Sequence, residues 1–368
     1  MERRGTGEMS DFDEAIWQRA QLGDVDSFEG MFGSRSSMPD TQVTVSTVIT
    51  DNSAIDPVEA LRISTPYRVR EFGPAQLIKV EAEPDNYVVG IWPSEHPGIY
   101  FIVATVPFTS RQWKTVERWV DRSRPQMSPF FLNEDDILGI GRSLEHFGLV
   151  EVTKFTARDS LDYSSHARGW PARDGENRPS FSETMNYLER IGASVRSLTL
   201  LLAKEMRIHL RRRAGATFYG GDFQIFFRAI LKPLADAAIS RRRLLSGRAR
   251  TAPAPLRPLN ISLASGRHKE VVTSGDLVSE LSRNSALGVA VLHGNPYAHV
   301  VVTDYRDGSN FDVFVTQLDR IEIHPGWRAT LAALTRLTDQ LSESFMGVKI
   351  SEAPEVGQVS IDDLVGTL

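Results

Sequence analysis

The sequence predicts an α+β protein, with two small antiparallel-meander-plus-helix modules flanking a basic strand/helix segment. Short apolar runs bounded by Gly, Pro, Asn and Asp recur between residues 67 and 107 and again between 288 and 324, the pattern of antiparallel strands joined by tight turns. Each set leads into an amphipathic stripe of helical period. Between them the charge changes sign. Residues 196 to 257 hold fourteen Lys/Arg against Glu205, Asp222 and Asp236, a net of +11 in a chain whose total is −5.

The 368 residues, 41% hydrophobic and 24% charged, have the composition of an ordinary globular protein, long enough for two or three packed units. No cysteine is present, which excludes disulfides, thiolate metal sites and thiol nucleophiles. The N-terminus lacks the apolar core of a secretory signal, and the longest apolar runs fall well short of the ~20 residues of a membrane-spanning helix. A cytoplasmic location with no membrane contact is therefore the expectation. Only seven of the 42 basic residues are lysine, a bias expected of a GC-rich bacterial genome.

Along the chain, residues 1–33 form an acidic segment in which Phe12, Ile16 and Trp17 lie at helical spacing and Gly23 provides a stop. This stripe is a candidate docking peptide for a protein partner, a cover for the basic segment, or a surface helix. Residues 34–64 are Ser/Thr-rich, and we expect a linker with at most an edge strand at 43–49. The α/β module of residues 65–163 opens with strands at 67–72, 77–81, 87–92 and 100–107. A helix follows from Thr109 or Ser110 with Trp113, Val116, Trp119 and Val120 inward. A second helix starts after Asn133, where Glu134, Asp135 and Asp136 suit the positive end of its dipole, and a strand follows at 149–155. Residues 164–180 have the composition of a loop.

The basic segment, 181–250, contains the sharpest pattern. From Met206 to Arg213, Ile208 and Leu210 alternate with Arg207, His209, Arg211 and Arg213, so a strand here puts those four about 7 Å apart on one face. With Arg241, Arg242, Arg243, Arg248 and Arg250 they form a candidate rail for the phosphates of nucleic acid or another polyanion. Asp222 can cap a following helix that runs past Pro233. Residues 251–258 are a Pro-rich connector, 259–350 a C-terminal α/β module with a three-stranded meander and helices near 274–283 and 330–345, and 351–368 an acidic tail.

Catalytic signatures are missing. No GxSxG, Walker A, kinase or HExxH pattern occurs. Gly139-Ile140-Gly141 is half of a dinucleotide fingerprint set within a helical pattern. His293, His299, Asp304 and His324 share neighbouring strands without the spacing of a metal site. No cofactor and no metal are expected. The function expected is that of a non-enzymatic binding or assembly subunit contacting nucleic acid or another polyanion. The alternatives are a protein–protein interaction subunit whose basic segment docks an acidic protein surface, and an enzyme with a site assembled from scattered residues.

Overall fold

A computed structural model of the chain describes residues 11–22, 42–81, 86–123, 125–159, 164–170, 178–213, 215–249, 257–263, 272–294, 297–317 and 320–353. Among these, residues through Ser246 together with Thr330–Asp339 form one compact unit, and Gly247 to Ala329 with Gln340 onward form a second. The chain is mixed helix and strand with two antiparallel sheets, an α+β protein.

The first sheet has eleven strands: β1 (Val43–Thr50), β2 (Tyr67–Phe72), β3 (Ala75–Val80), β4 (Tyr87–Pro93), β5 (Ile99–Ala104), β6 (Met127–Pro129), β7 (Val150–Asp159), β8 (Ser165–Gly169), β9 (Ala193–Leu202), β10 (Met206–Arg211) and β11 (Gly215–Gly220). Their order is β2-β3-β4-β5-β1-β11-β10-β9-β7-β8, with β6 also on β1. The second sheet runs β13-β14-β15-β16-β12-β17, from β12 (Leu259–Leu263), β13 (Leu287–His293), β14 (Ala298–Asp304), β15 (Ser309–Gln317), β16 (Arg320–Pro325) and β17 (Gly347–Glu352).

Three differences from the sequence-based expectation have physical causes. The supposed linker contains β1, which is central: Thr44–Ile49 pair with β5, Val43–Ser46 with β11 and Val48–Thr50 with β6. Two of its three buried threonines are satisfied by carbonyls: Thr44 Oγ1 donates to the Val106 carbonyl at 2.6 Å and Thr50 Oγ1 to that of Gly98 at 3.2 Å. The basic strand β10 does not stand between modules but is an interior strand of the first sheet, flanked by β9 and β11. The C-terminal meander has a fourth strand, and β12 and β17 complete its sheet. The connector at 251–256 and the tail from 354 onward lie outside the described residues.

Local signals work as anticipated where they are strong. Ser110 caps the Arg111–Asp121 helix through the Trp113 amide, and at the start of Glu134–Glu145 the Asn133 amide donates to the Asp136 carboxylate at 2.8 Å. Pro233 is accommodated by a π-turn, Phe227–Leu231, between the Phe223–Phe226 and Lys232–Leu245 helices. The wider turn relieves the ring-to-carbonyl clash that proline brings to an α-helix.

The two sheets also share a connectivity. β1, a short helix (Pro57–Ala60), the β2–β5 meander, the Arg111–Asp121 helix and β6 follow one another as do β12, the Ser274–Ser282 helix, the β13–β16 meander, the Leu331–Ser344 helix and β17. In each set the first strand lies beside the last strand of the meander and pairs with the closing strand. The loose echo of meander and helix in the sequence is thus a repeated topology without an alignable sequence.

Candidate functional site

The arginine-rich segment turns its charge inward. On β10, Met206, Ile208 and Leu210 are buried as the alternation requires, but on the opposite face His209 is buried and Arg211 half-buried as well. His209 is 7% exposed, bonded to Thr199 Oγ1 at 2.9 Å and stacked on Phe108 with ring centroids 4.8 Å apart. Burial and the neighbouring Arg211 push its pKa down to about 4. Arg211 lies 5.0 Å over the same Phe108 ring and donates to Glu117 Oε1 at 3.1 Å. Burial lowers its pKa, and Glu117 opposes that shift. Arg207 is exposed and sits 4.9 Å over the Tyr219 ring, and Arg213 lies beyond the strand end, 69% exposed and 3.9 Å from Asp339. The exposed four-residue face expected from the alternation is therefore not formed. A strand can bury guanidinium groups when carboxylates and aromatic rings meet each one.

Two of the helix arginines, Arg241 and Arg242, are likewise bound within the fold. Arg241, 5% exposed, donates to Asp136 at 3.0 Å and lies 4.8 Å over the Phe131 ring. Arg242 donates to the carbonyls of Thr50, Asp51 and Pro97. Arg248 pairs with Glu352, Arg243 is exposed, and Arg250 lies outside the described residues. In the N-terminal helix, Asp11–Leu22, Ile16 and Trp17 are each 5% exposed, and Arg70 stacks on Trp17 at 4.1 Å while donating to its carbonyl. These two docking candidates belong to the chain's own core beside β2, and the Phe12 side chain is outside the described residues.

The histidine candidates of the second sheet are drawn into separate contacts. His299 bonds Asp312 at 2.9 Å, His324 lies 3.5 Å from Glu322, and the two rings flank Phe314. The described residues bring Glu95, His96 and Asp236 within 4.8 Å of one another, with Lys232 Nζ already 3.3 Å from Glu95.

A pocket of about 370 Å³ that the sequence did not single out lies among Arg168, Trp170, Arg178, Glu183 and Tyr187. The chain leaves β8 at Trp170, whose amide donates to the Thr153 carbonyl of β7, and the Pro179 carbonyl accepts from the Val152 amide of the same strand. Those two bonds anchor both sides of the pocket lining to β7, next to the terminal strand β8 of the first sheet. Ser180 then caps the Phe181–Arg190 helix, and Glu183, Thr184 and Tyr187 follow at the spacing that presents one helix face. Trp170 and Tyr187 form aromatic walls, both resting on Phe155. Arg168 lies 4.8 Å over Trp170, and Arg178, 3.7 Å from Glu151, keeps a buried Nε with no hydrogen-bond partner among the described residues. Hydrogen bonds from the Ser180 backbone and hydroxyl hold the Glu183 carboxyl below its ordinary pKa, so an acceptor stays charged at the rim. The site offers apolar walls, two guanidinium groups and one fixed carboxylate. The only sequence signal was Arg168, Trp170 and Arg178 within a stretch whose Gly/Pro content reads as loop.

No protein-family model matches the chain, and no curated protein matches its sequence. No helix among the described residues is long and apolar enough to cross a membrane.

Proposed function

We propose that the chain is a protein-interaction subunit that anchors a side chain of its partner in the Trp170–Tyr187 pocket. The observation that carries this reading is the pocket's composition: Trp, Tyr and Arg around a volume suited to one or two large side chains, the residue types that dominate binding energy at protein interfaces. The exposed Arg168 guanidinium beside Trp170 favours a partner that brings an acceptor, so the segment recognised carries a large apolar residue beside a carboxylate. The alternative, contact with nucleic-acid phosphates along β10 and the Lys232–Leu245 helix, is weakened because Arg211 and Arg241 already have carboxylate partners.

Selection of a displayed random-peptide library on the full chain tests the proposal. Enriched peptides should pair an aromatic or long aliphatic residue with Asp or Glu and should lose at least tenfold in affinity for Trp170→Ala and Arg168→Gln. Equal affinity for the variants overturns it. Binding of a single-stranded oligonucleotide that weakens linearly in log salt, unaffected by those variants, would return the reading to phosphate recognition.

A further inference from the structure

The geometry points to the β13 edge of the second sheet as a self-association surface, at which β13 of one chain pairs antiparallel with β13 of a second copy about Val289. Among the described residues β13 ends the sheet; the Leu287 amide donates to the Asn284 carbonyl at 2.9 Å, and no strand pairs the outer edge from Val289 to Val291. A free edge is a template for another strand, and native sheets blunt such edges with charge. The other terminal strands are so blunted: β2 carries Arg68, Arg70 and Glu71, β8 carries His166 and Arg168, and β17 carries Lys349 and Glu352. Leu287–Leu292 carries no charge and no proline. The contrast with β2 is pointed, because β2 and β13 hold the same place in the repeated topology.

The side chains make the edge self-complementary. Val289 and Val291 oppose Val302 and Val300 on β14, which are fully buried, so both lie on the core face of the sheet, yet Val291 is 50% exposed. Among the described residues the core face is thus incompletely covered at Val291, although the Ser274–Ser282 helix packs against β13. Two-fold pairing about Val289 sets Val289 against its own copy and Leu287 against Val291 on that face. On the other face it sets Gly288 against Ala290, small against small. Tyr305, 68% exposed, occupies the space a side chain at Gly288 would need, with its hydroxyl 2.2 Å from that Cβ position. In the pair, each Tyr305 ring covers Gly288 of its own strand and Ala290 of the other. The register irregularity between Val291 and His293 limits the regular pairing to Leu287–Val291, so the contact is smaller than the ~800 Å² per partner of a standard interface and the dimer is weak.

Sedimentation velocity of the full chain from about 1 to about 200 µM should show the average mass rising from 41.0 kDa toward twice that value. Val291→Lys, at a half-exposed position, should keep the monomer's fold and melting temperature while raising the dimer dissociation constant at least tenfold. Because the chain lacks cysteine, Val289→Cys provides a single thiol on the proposed two-fold axis. It should form a disulfide-linked dimer under mild oxidation at least tenfold faster than Ala167→Cys on the β8 edge. A mass of 41.0 kDa at the highest concentration, a dimer insensitive to Val291→Lys, or equal cross-linking at the two edges overturns the proposal.

Discussion

Arg241 shows how the excess of cations between residues 196 and 257 is used. Its guanidinium meets the Asp136 carboxylate and the Phe131 ring in an interior where neither charge would be stable alone. Arg241→Ala should therefore cost about 3 to 5 kcal/mol in urea unfolding. The double replacement Arg241→Met with Asp136→Leu should lose much less, since no unpaired charge remains. His209 predicts a pH dependence. In the unfolded chain it takes up a proton near its ordinary pKa of 6.5, whereas in the fold it resists until about 4. Its neutral form thus contributes stability that is complete above pH 6.5 and is lost as pH falls to 4, about 3 kcal/mol at most. Urea midpoints measured from pH 4 to 7 should fall less steeply for His209→Gln than for the native chain.

The Glu134–Glu145 helix explains its two glycines separately. A Cβ at Gly141 would come within 2.0 Å of the Phe181 ring, whereas one at Gly139 would meet nothing within 4 Å. Gly141→Ala should destabilise by about 1 to 3 kcal/mol through overpacking, and Gly139→Ala should stabilise by up to about 1 kcal/mol through helix propensity. Thermal unfolding of the two variants distinguishes them, and with them a packing glycine from a nucleotide-binding one. At this scale the sequence was most legible where apolar periodicity and a cap coincide, as in Ser110 with Trp113, Val116, Trp119 and Val120. It was least legible where polar side chains find partners distant in the chain. The threonines of β1 look like a linker until the carbonyls of Val106 and Gly98 are beside them. Arg211 looks like part of a solvent face until Phe108 and Glu117 cover it. The pocket was hidden for the same reason, since its walls come from residues 168 to 187 that meet only through their bonds to β7.

Across the whole molecule, the two units do not divide at a point in the sequence. Thr330–Asp339 packs with the first unit, where Arg212 donates to both the carboxylate and the carbonyl of Asp339. A fragment ending at Ser246 leaves Arg212 buried without that carboxylate, so its unfolding midpoint in urea should lie well below that of the first transition of the full chain. Asp339→Asn in the full chain should reproduce part of the loss. The repeated topology adds a matter of timing. β1 emerges from the ribosome roughly 160 residues before β11, the partner of its first half, and it is a charge-free, β-branched run. During that interval only the β5 side and the three residues of β6 can occupy it. The nascent chain thus carries, for about half of its synthesis, an adhesive strand that the finished protein conceals completely. Translation speed and chaperone supply, more than the stability of the final fold, should decide how much of this protein a cell accumulates.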